Sequence, residues 1–273
     1  MVQKVSVSVI MGIYNTSDLQ ILQRAVDSIC EQTYTEWECI ICDDGSSDDT
    51  YKLLLSLTGQ DKRFRIIRNK ENLGLAAALN HCLKYVRGRY IARMDADDGC
   101  APNRLERQVQ FLDENEDYQI VGTSAGLFDE DGRWGHREMP EMPGKRDFLW
   151  GSPYIHPSIM IRKDALLAVH GYRVAKETRR TEDYDLFMRL YEKGYQGYNL
   201  QEELYEFRED KKARKRKKYC YRIDEVKVRW KGFHLLGLMP GGFLYVLKPL
   251  IVGLIPYPVL VWLRGDAQKK LRT

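Results

Sequence analysis

One stretch of this 273-residue chain indicates its fold class most directly: Tyr90-Ile91-Ala92-Arg93-Met94-Asp95-Ala96-Asp97-Asp98. Its first five residues are typical of a buried strand, and the acidic residues mark the carboxyl end of that strand. In an extended chain Asp95 and Asp97 point to the same side, about 7 Å apart. Two carboxylates this close repel each other unless a cation lies near them, so the pair is a candidate site for Mg²⁺ or Mn²⁺. The alternative is a solvated acidic turn.

Strand and helix patterns alternate on both sides of this stretch. Strands are predicted at residues 5–14, 37–43, 64–68 and 89–94, and helices at 19–30, from about 48, and at about 73–86. Strands separated by helices of this length form right-handed crossovers and a mostly parallel sheet. Ligands bind such sheets at the carboxyl ends of the strands. The chain is therefore predicted to be an α/β protein with its site in the loops that follow these strands.

The pattern changes after Asp98. A helix is predicted at about 102–115, a strand at 118–123, a hairpin or polar turn at 128–138, a strand at 158–162, and a helix at 182–193 that ends at Gly194. From about residue 210 the chain becomes basic and then apolar. We therefore predict one domain over residues 1–210, with halves at 1–98 and 99–210, and a tail at 211–273.

The composition is that of a folded protein, with 44% hydrophobic and 30% charged residues and a net charge of +4. Cys39 and Cys42 form a CxxC, but they lie in an apolar strand with no second pair to complete a tetrahedral metal site. All six cysteines are interpreted as small buried side chains, which fits a reducing cytoplasm. The first residues lack the apolar core of a signal peptide, so none is expected.

Three other polar clusters occupy the positions where such a sheet binds ligands. Asp43-Asp44-Gly45-Ser46 follows the second strand, Asn72-Leu73-Gly74 begins a helix, and Glu182-Asp183 opens another. Carboxylates there can accept hydrogen bonds from a base or a ribose, and a helix N-terminus favours anions. Each cluster taken alone is equally typical of a capped turn or helix start.

These clusters together resemble the family-2 glycosyltransferases of the GT-A fold. The matching pieces, which stand in order over about residues 5–208, are 9–15 (VIMGIYN), 43–46 (DDGS), 72–74 (NLG) with Asn80, 95–98 (DADD), 156–158 (HPS) and 182–183 (ED). The resemblance is closest to enzymes of bacterial capsule and exopolysaccharide assembly, which also match at Arg179-Arg180 and at residues 198–202.

The resemblance implies a role for each matching residue. Asp183 is expected to be the base of an inverting sugar transfer, Glu182 to shape the acceptor site, and Asp97, with Asp95 beside it, to ligate Mg²⁺ or Mn²⁺ at the donor diphosphate. Asp95 is also expected near the ribose, and the role of His156 stays open between a donor contact and a structural histidine. The residues expected to bind the donor, with uracil as the usual base, are Tyr14, Asn15, Asp43, Asp44, Asn72, Gly74, Asn80, Asp95 and His156.

Two other classes of protein remain as alternatives. A protein that keeps the fold but has lost catalysis would be expected to lack Asp97 or Asp183, and both are present. A nucleotidyltransferase also uses a parallel sheet and a metal, but it brings a glycine-rich basic loop that residues 12–15 (GIYN) do not provide.

The tail combines a basic run with apolar residues. Residues 211–218 (KKARKRKK) carry seven basic side chains, which would favour an anionic membrane surface, and prolines interrupt the apolar run at 235–263, which argues against a spanning helix. We expect peripheral attachment to the inner face of the cell membrane, which would bring a glycan or lipid-linked acceptor within reach. The alternative is packing on the catalytic domain, and nucleic-acid binding is disfavoured because no recognised module accompanies the run. The apolar residues expected at the membrane are Trp230, Phe233, Leu235, Leu236, Leu238, Phe243, Tyr245, Trp262 and Leu263.

Overall fold

The computed structural model describes residues 5–209 and 219–255. The strands are β1 (Val7–Ile13), β2 (Trp37–Asp43), β3 (Phe64–Arg68), β4 (Tyr90–Arg93), β5 (Gly99–Cys100), β6 (Tyr118–Asp129), β7 (Gly132–Arg137), β8 (Met160–Arg162) and β9 (Gln196–Arg208). The helices are α1 (Leu19–Cys30), α2 (Thr50–Thr58), α3 (Leu75–Leu83), α4 (Arg104–Glu114), α5 (Lys163–Ala168), α6 (Glu182–Glu192), α7 (Tyr219–Leu235) and α8 (Phe243–Leu254).

These strands form one sheet in the order β3-β2-β1-β4-β8-β6-β9-β5, with β7 paired to β6. The first four strands are parallel, as their helical crossovers require. From β4 onward the sheet is mixed, since β8 runs antiparallel to both β4 and β6, whereas β9 runs parallel to β6. The α/β prediction is confirmed, and the parallel part of the sheet is its first half.

Local chemistry explains the helices that match the sequence-based bounds. Asp18 caps α1 by accepting hydrogen bonds from the backbone N–H groups of Gln20 and Ile21 at 3.0 and 3.3 Å. One face of α1 is buried, at Leu22, Ala25, Val26 and Ile29. Gly194 has φ of 84° beyond the end of α6, a conformation that glycine adopts without strain.

The two faces of the sheet bury separate apolar clusters. Side chains of β1 and β2 alternate between them: Ile10 and Ile40 belong to one cluster, whereas Val9 and Ile41 belong to the other. Cys39 and Cys42 likewise lie in opposite clusters, which explains why this CxxC cannot ligate one metal ion. Four of the six cysteines are buried, but the prediction was wrong for Cys30 and Cys220, which are exposed on α1 and α7.

The described part of the predicted tail packs against the domain. α7 contacts α6, and Phe233 and Leu236 are buried in the same cluster as the α6 side chains Phe187 and Leu190. These two residues therefore stabilise the domain and are not available to a membrane, contrary to the prediction. The basic run 211–218 and the pair Trp262 and Leu263 lie outside the described residues. Within 5–209 and 219–255, no helix combines the length and the apolar character needed to cross a membrane.

Candidate active site

The acidic cluster lies at the carboxyl end of β4, where the first, parallel half of the sheet meets the mixed half. One carboxylate oxygen from each of Asp95, Asp97 and Asp98 lies within 4.8 Å of the others. The adjoining backbone is held on both sides: the N–H of Arg93 donates to the carbonyl of Ile159 at 3.0 Å, and that of Met94 donates to the carbonyl of Ile10 at 3.2 Å. The cluster therefore sits on a rigid strand end.

Asp98 is the buried member of this cluster, and β9 holds it. Its carboxylate accepts hydrogen bonds from the Tyr205 hydroxyl at 2.9 Å and from the backbone N–H of Arg208 at 2.7 Å. Burial, followed by Asp95 and Asp97, raises its pKa well above the ordinary value. Sequence reasoning did not single out Asp98 or Tyr205, because nothing local shows that β9 crosses this strand end.

Asp97 is the most exposed of the three carboxylates. The surrounding protein still removes much of the water around the Asp97 carboxylate, and this desolvation raises its pKa to about 6. The nearby charge of Asp95 adds to the increase. A bound cation would offset both the repulsion between Asp97 and Asp95 and the poor solvation of the Asp97 carboxylate. Three hard carboxylate oxygens suit Mg²⁺ or Mn²⁺ rather than a soft metal, so the residues present fit such an ion, with Asp97 the most accessible of them.

Arg93 is a site residue that sequence reasoning missed. It is 2% exposed, and its Nη1 lies 2.5 Å from Oδ2 of Asp95. Burial opposes its charge, but the pairing with Asp95 outweighs burial, so the net pKa of Arg93 is raised above its ordinary value. The sequence did carry a signal for it, an arginine inside the apolar strand 90–94. An arginine in such a strand is almost never buried unless it is paired, so it indicates a nearby anion.

The Glu182-Asp183 pair opens α6 and forms a second acidic group. Burial, followed by Asp183, raises the pKa of Glu182 to about 7, although Arg93 and the backbone of Arg180 oppose the increase. Arg180 itself has φ of 72°, a left-handed conformation that is uncommon for a residue other than glycine. The chain therefore turns sharply just before the two carboxylates.

A buried tyrosine links the two acidic groups. Burial raises the pKa of Tyr172, Arg93 opposes the increase, and Asp183, Glu182 and Asp95 add to it. Both carboxylate groups therefore lie within electrostatic range of one phenol. The structure thus brings the Asp95–Asp98 turn and the start of α6 to the same region, which fits the roles that the resemblance implies for them.

His156 and Asn80 both lie against Tyr172. His156 is 9% exposed, and its Nε2 lies 2.9 Å from the Tyr172 hydroxyl. Burial and then Arg93 lower the pKa of His156 well below its ordinary value, so the ring is neutral. The Asn80 amide exchanges two hydrogen bonds with the backbone of Tyr172, at 2.7 and 2.9 Å. In this structure both residues support Tyr172, and their expected contacts with a donor stay predictions.

The loops after β1 and β2 lie together, as expected for neighbouring parallel strands. The N–H of Asn15 donates to Oγ of Ser46 at 2.9 Å, and Asn15 Oδ1 accepts from the N–H of Ser47 at 3.0 Å. Tyr14 is 45% exposed beside them. Asp43 is fully buried, and its Oδ2 lies 2.9 Å from Nε of the half-exposed Arg68. This pair lies at the carboxyl edge of β2 and β3, and contacts of Tyr14, Asn15 and Asp43 with a donor stay predictions.

Asp44 connects this edge to the start of α3. Its carboxylate accepts hydrogen bonds from the side chain of Asn69 at 2.7 Å and from the backbone N–H groups of Leu73 and Gly74 at 3.1 and 2.7 Å. Gly74 has φ of 90°, and a Cβ added there would meet nothing within 4 Å. Asp44 therefore holds the 72–74 turn, and contacts of Asn72 and Gly74 with a donor stay predictions.

Comparison with known proteins identifies the class to which this fold and site belong. The family model of glycosyl transferase family 2 matches residues 8–171. The chain belongs to that family and is a glycosyltransferase.

Two relatives match almost the whole chain. It is 44% identical over 255 residues to EpsE of Bacillus subtilis (strain 168), which carries the name of a glycosyltransferase, and the match covers 93% of this chain and 91% of that one. It is 28% identical over 270 residues to the amylovoran biosynthesis glycosyltransferase AmsE of Erwinia amylovora, covering 96% and 99% of the two chains.

Solved structures agree with the GT-A fold. Residues 1–349 of TarS from S. aureus, in complex with UDP-GlcNAc, align with a TM-score of 0.68 at 16% identity, covering 85% of this chain and 70% of that one. The mannosyltransferase PcManGT from Pyrobaculum calidifontis, in complex with GDP-Man and Mn²⁺, aligns with a TM-score of 0.62 at 19% identity, covering 98% and 81%.

Proposed function

We propose that this glycosyltransferase inverts the anomeric centre of a UDP-sugar, with Asp183 as the base and a divalent metal at Asp97. The observation that carries the proposal is the meeting of two carboxylate groups, Asp95–Asp98 and Glu182-Asp183, around the buried Tyr172 and Arg93. Each group comes from a different half of the domain. A cleft with acidic side chains on two walls suits a reaction in which a proton is removed on one face and a diphosphate departs from the other.

The donor would bind along the parallel half of the sheet. Tyr14 would lie against the base, and the Asp43–Arg68 pair could hydrogen-bond to it. Asp95 and Asp97 would lie at the ribose and the diphosphate. When bound at Asp97 with Asp95, Mg²⁺ or Mn²⁺ would offset the negative charge of the departing diphosphate.

Asp183 would act on the acceptor. As the acceptor hydroxyl oxygen bonds to the anomeric carbon, the bond from that carbon to the diphosphate oxygen breaks, and the hydroxyl proton passes to the Asp183 carboxylate. Glu182 would shape the acceptor site beside it.

Substitution of the two aspartates tests this division of labour. Asp183→Asn should keep UDP and Mn²⁺ binding in calorimetry and lower kcat by about 10²- to 10⁴-fold, the usual contribution of a general base. Asp97→Asn should lose Mn²⁺ binding as well as transfer. Before these measurements, the donor is identified by a thermal-shift screen of nucleotide sugars with Mn²⁺, since a true donor raises Tm by mass action.

Asp113→Asn is the matched control. Asp113 lies at the opposite end of β4, where it accepts a hydrogen bond from Tyr90 and pairs with Arg89 at 2.6 Å. Its substitution should lower stability slightly and leave kcat and metal affinity unchanged. If Asp97→Asn and Asp183→Asn both retained full transfer, the proposed mechanism would be wrong.

The acceptor is proposed to be a glycan or lipid-linked sugar of a cell-surface polysaccharide, reached from the inner face of the cell membrane. Support comes from the relative AmsE, whose name refers to amylovoran biosynthesis, and from α8. Leu244, Ile251 and Leu254 are 75%, 59% and 74% exposed, and their spacing places them along one side of the helix. An exposed apolar stripe of this kind suits the interface of a membrane.

A further inference from the structure

The side chain of Arg93 is bound differently from two other arginines of the domain, the buried Arg104 and the half-buried Arg162. Arg104 donates to the carbonyls of Arg93 and Pro157, at 2.8 and 3.2 Å, and Arg162 donates to those of Leu112 and Tyr118, at 2.6 and 2.9 Å. Those two side chains donate to backbone carbonyls, which is a structural role.

Within residues 5–209 and 219–255, Arg93 has no such bond to a backbone carbonyl. Among the described residues its Nε has no hydrogen-bond partner, and its close anionic contact is with Asp95, at 2.5 Å. Removing a guanidinium from water is costly, and one ion pair repays that cost poorly. A contribution to the stability of the fold therefore does not explain why a cation lies here.

The surroundings of Arg93 supply an explanation. Asp95, Asp97 and Asp98 are crowded within 4.8 Å, and Glu182 approaches from α6 within electrostatic range of the same guanidinium. Without a nearby cation these carboxylates would repel one another, and Asp95 would be free to rotate away from Asp97. A partner that fixes a ligand's orientation is a recurrent feature of metal sites.

We propose that Arg93 is a positioning residue: it fixes the carboxylate of Asp95 beside Asp97 and offsets the charge of the cluster, so that the metal and donor diphosphate meet a preformed site. This inference rests on the proposed function, in which Asp95 and Asp97 form the metal and donor wall. Arg93 itself is buried, and it would act through Asp95 without touching the metal ion or the diphosphate.

The test is a double-mutant cycle between Arg93 and Asp95 in the full chain. Mn²⁺ affinity is measured from the EPR signal of free Mn²⁺, UDP affinity by calorimetry, and folding by Tm. Arg93→Gln should weaken Mn²⁺ binding roughly 10- to 100-fold, as loss of a supporting partner does at metal sites. In an Asp95→Asn background the same change should add less than about threefold, because coupled residues are not additive.

Arg162→Gln is the control for loss of an arginine that binds backbone carbonyls, and it should lower Tm without changing either affinity. Arg93→Lys keeps the charge but not the planar guanidinium, and it should restore part of the affinity. If Arg93→Gln does not fold, Arg93→Lys with and without Asp95→Asn completes the cycle.

Distinct results would overturn the two proposals. Unchanged Mn²⁺ and UDP affinity in folded Arg93→Gln, or losses that multiply in the double variant, would overturn the role of Arg93 alone, provided that Asp97→Asn still loses Mn²⁺. A wild-type chain that binds neither Mn²⁺ nor UDP would overturn the proposed function together with this inference.

Discussion

At the scale of single residues, the site depends on how carboxylates are solvated. Asp97 and Glu182 have pKa values raised to about 6 and about 7, in both cases by desolvation first and a neighbouring carboxylate second. Ionising either group in the folded state therefore costs free energy. A metal ion would repay that cost at Asp97, whereas at Glu182 the cost should be visible in the stability of the protein itself.

Glu182 therefore gives a prediction about stability and pH. Its pKa is about 7 folded against an ordinary 4.5, so the folded state holds the extra proton and stability falls as pH rises between those values. Between pH 5 and 8, wild type should lose up to about 3 kcal/mol more than Glu182→Gln, an upper bound because Glu182 is partly exposed. Urea unfolding at both pH values measures this, and parallel pH profiles for the two proteins would contradict it.

At the scale of elements, α6 is positioned by its contact with α7. A Cβ added to Gly232 of α7 would lie 2.1 Å from Sδ of Met188 on α6, so glycine permits the close approach of the two helices. The short N-terminal part of α6 carries Glu182 and Asp183, and the contact with α7 is therefore part of the support of the site.

Enlarging Gly232 tests this packing. Gly232→Ala should lower the free energy of unfolding by about 1–3 kcal/mol, the usual cost of overpacking, measured by urea denaturation. Combined with Met188→Ala it should cost little beyond Met188→Ala alone, because the clash is then removed. Gly241→Ala is the control, since its Cβ would meet only the carbonyl of Leu238, at 3.9 Å. Additive losses in the double variant would refute the proposed contact.

At the scale of the whole molecule, the apolar side of α8 is the described surface most suited to a membrane. It lies on the C-terminal helical hairpin, where α7 and α8 pack together, and the sequence continues with further apolar and basic residues beyond the described part. The catalytic domain would then rest on the membrane through this hairpin.

Charge placed on α8 should release the protein from membranes. Leu244→Asp with Ile251→Asp should weaken sedimentation with phosphatidylglycerol vesicles by about tenfold or more, because two side chains each worth about 1.5–3 kcal/mol on burial are lost. Leu55→Asp, on the exposed side of α2 (44% exposed), should bind as wild type does. Equal vesicle binding by the α8 variant would exclude this stripe as the contact.

Much of the fold could be read from local patterns alone. The bounds of α1, β2 and β3 match the sequence-based prediction, because hydrophobic periodicity and turn chemistry depend on near neighbours. The parallel direction of the first four strands also follows, since a helix between two strands allows the second strand to run in the same direction as the first.

The partners of buried charges were decided only by tertiary structure. Tyr205 holds Asp98 from 107 positions away, Asn80 binds Tyr172 across 92, and β8 pairs with β4 on the side away from β1, which makes the strand of Arg93 an interior strand. Neither the antiparallel placement of β8 nor the burial of Phe233 has a local signature. Both depend on which distant surfaces pack together, and it is that packing which sets the solvation, and hence the chemistry, of each polar group.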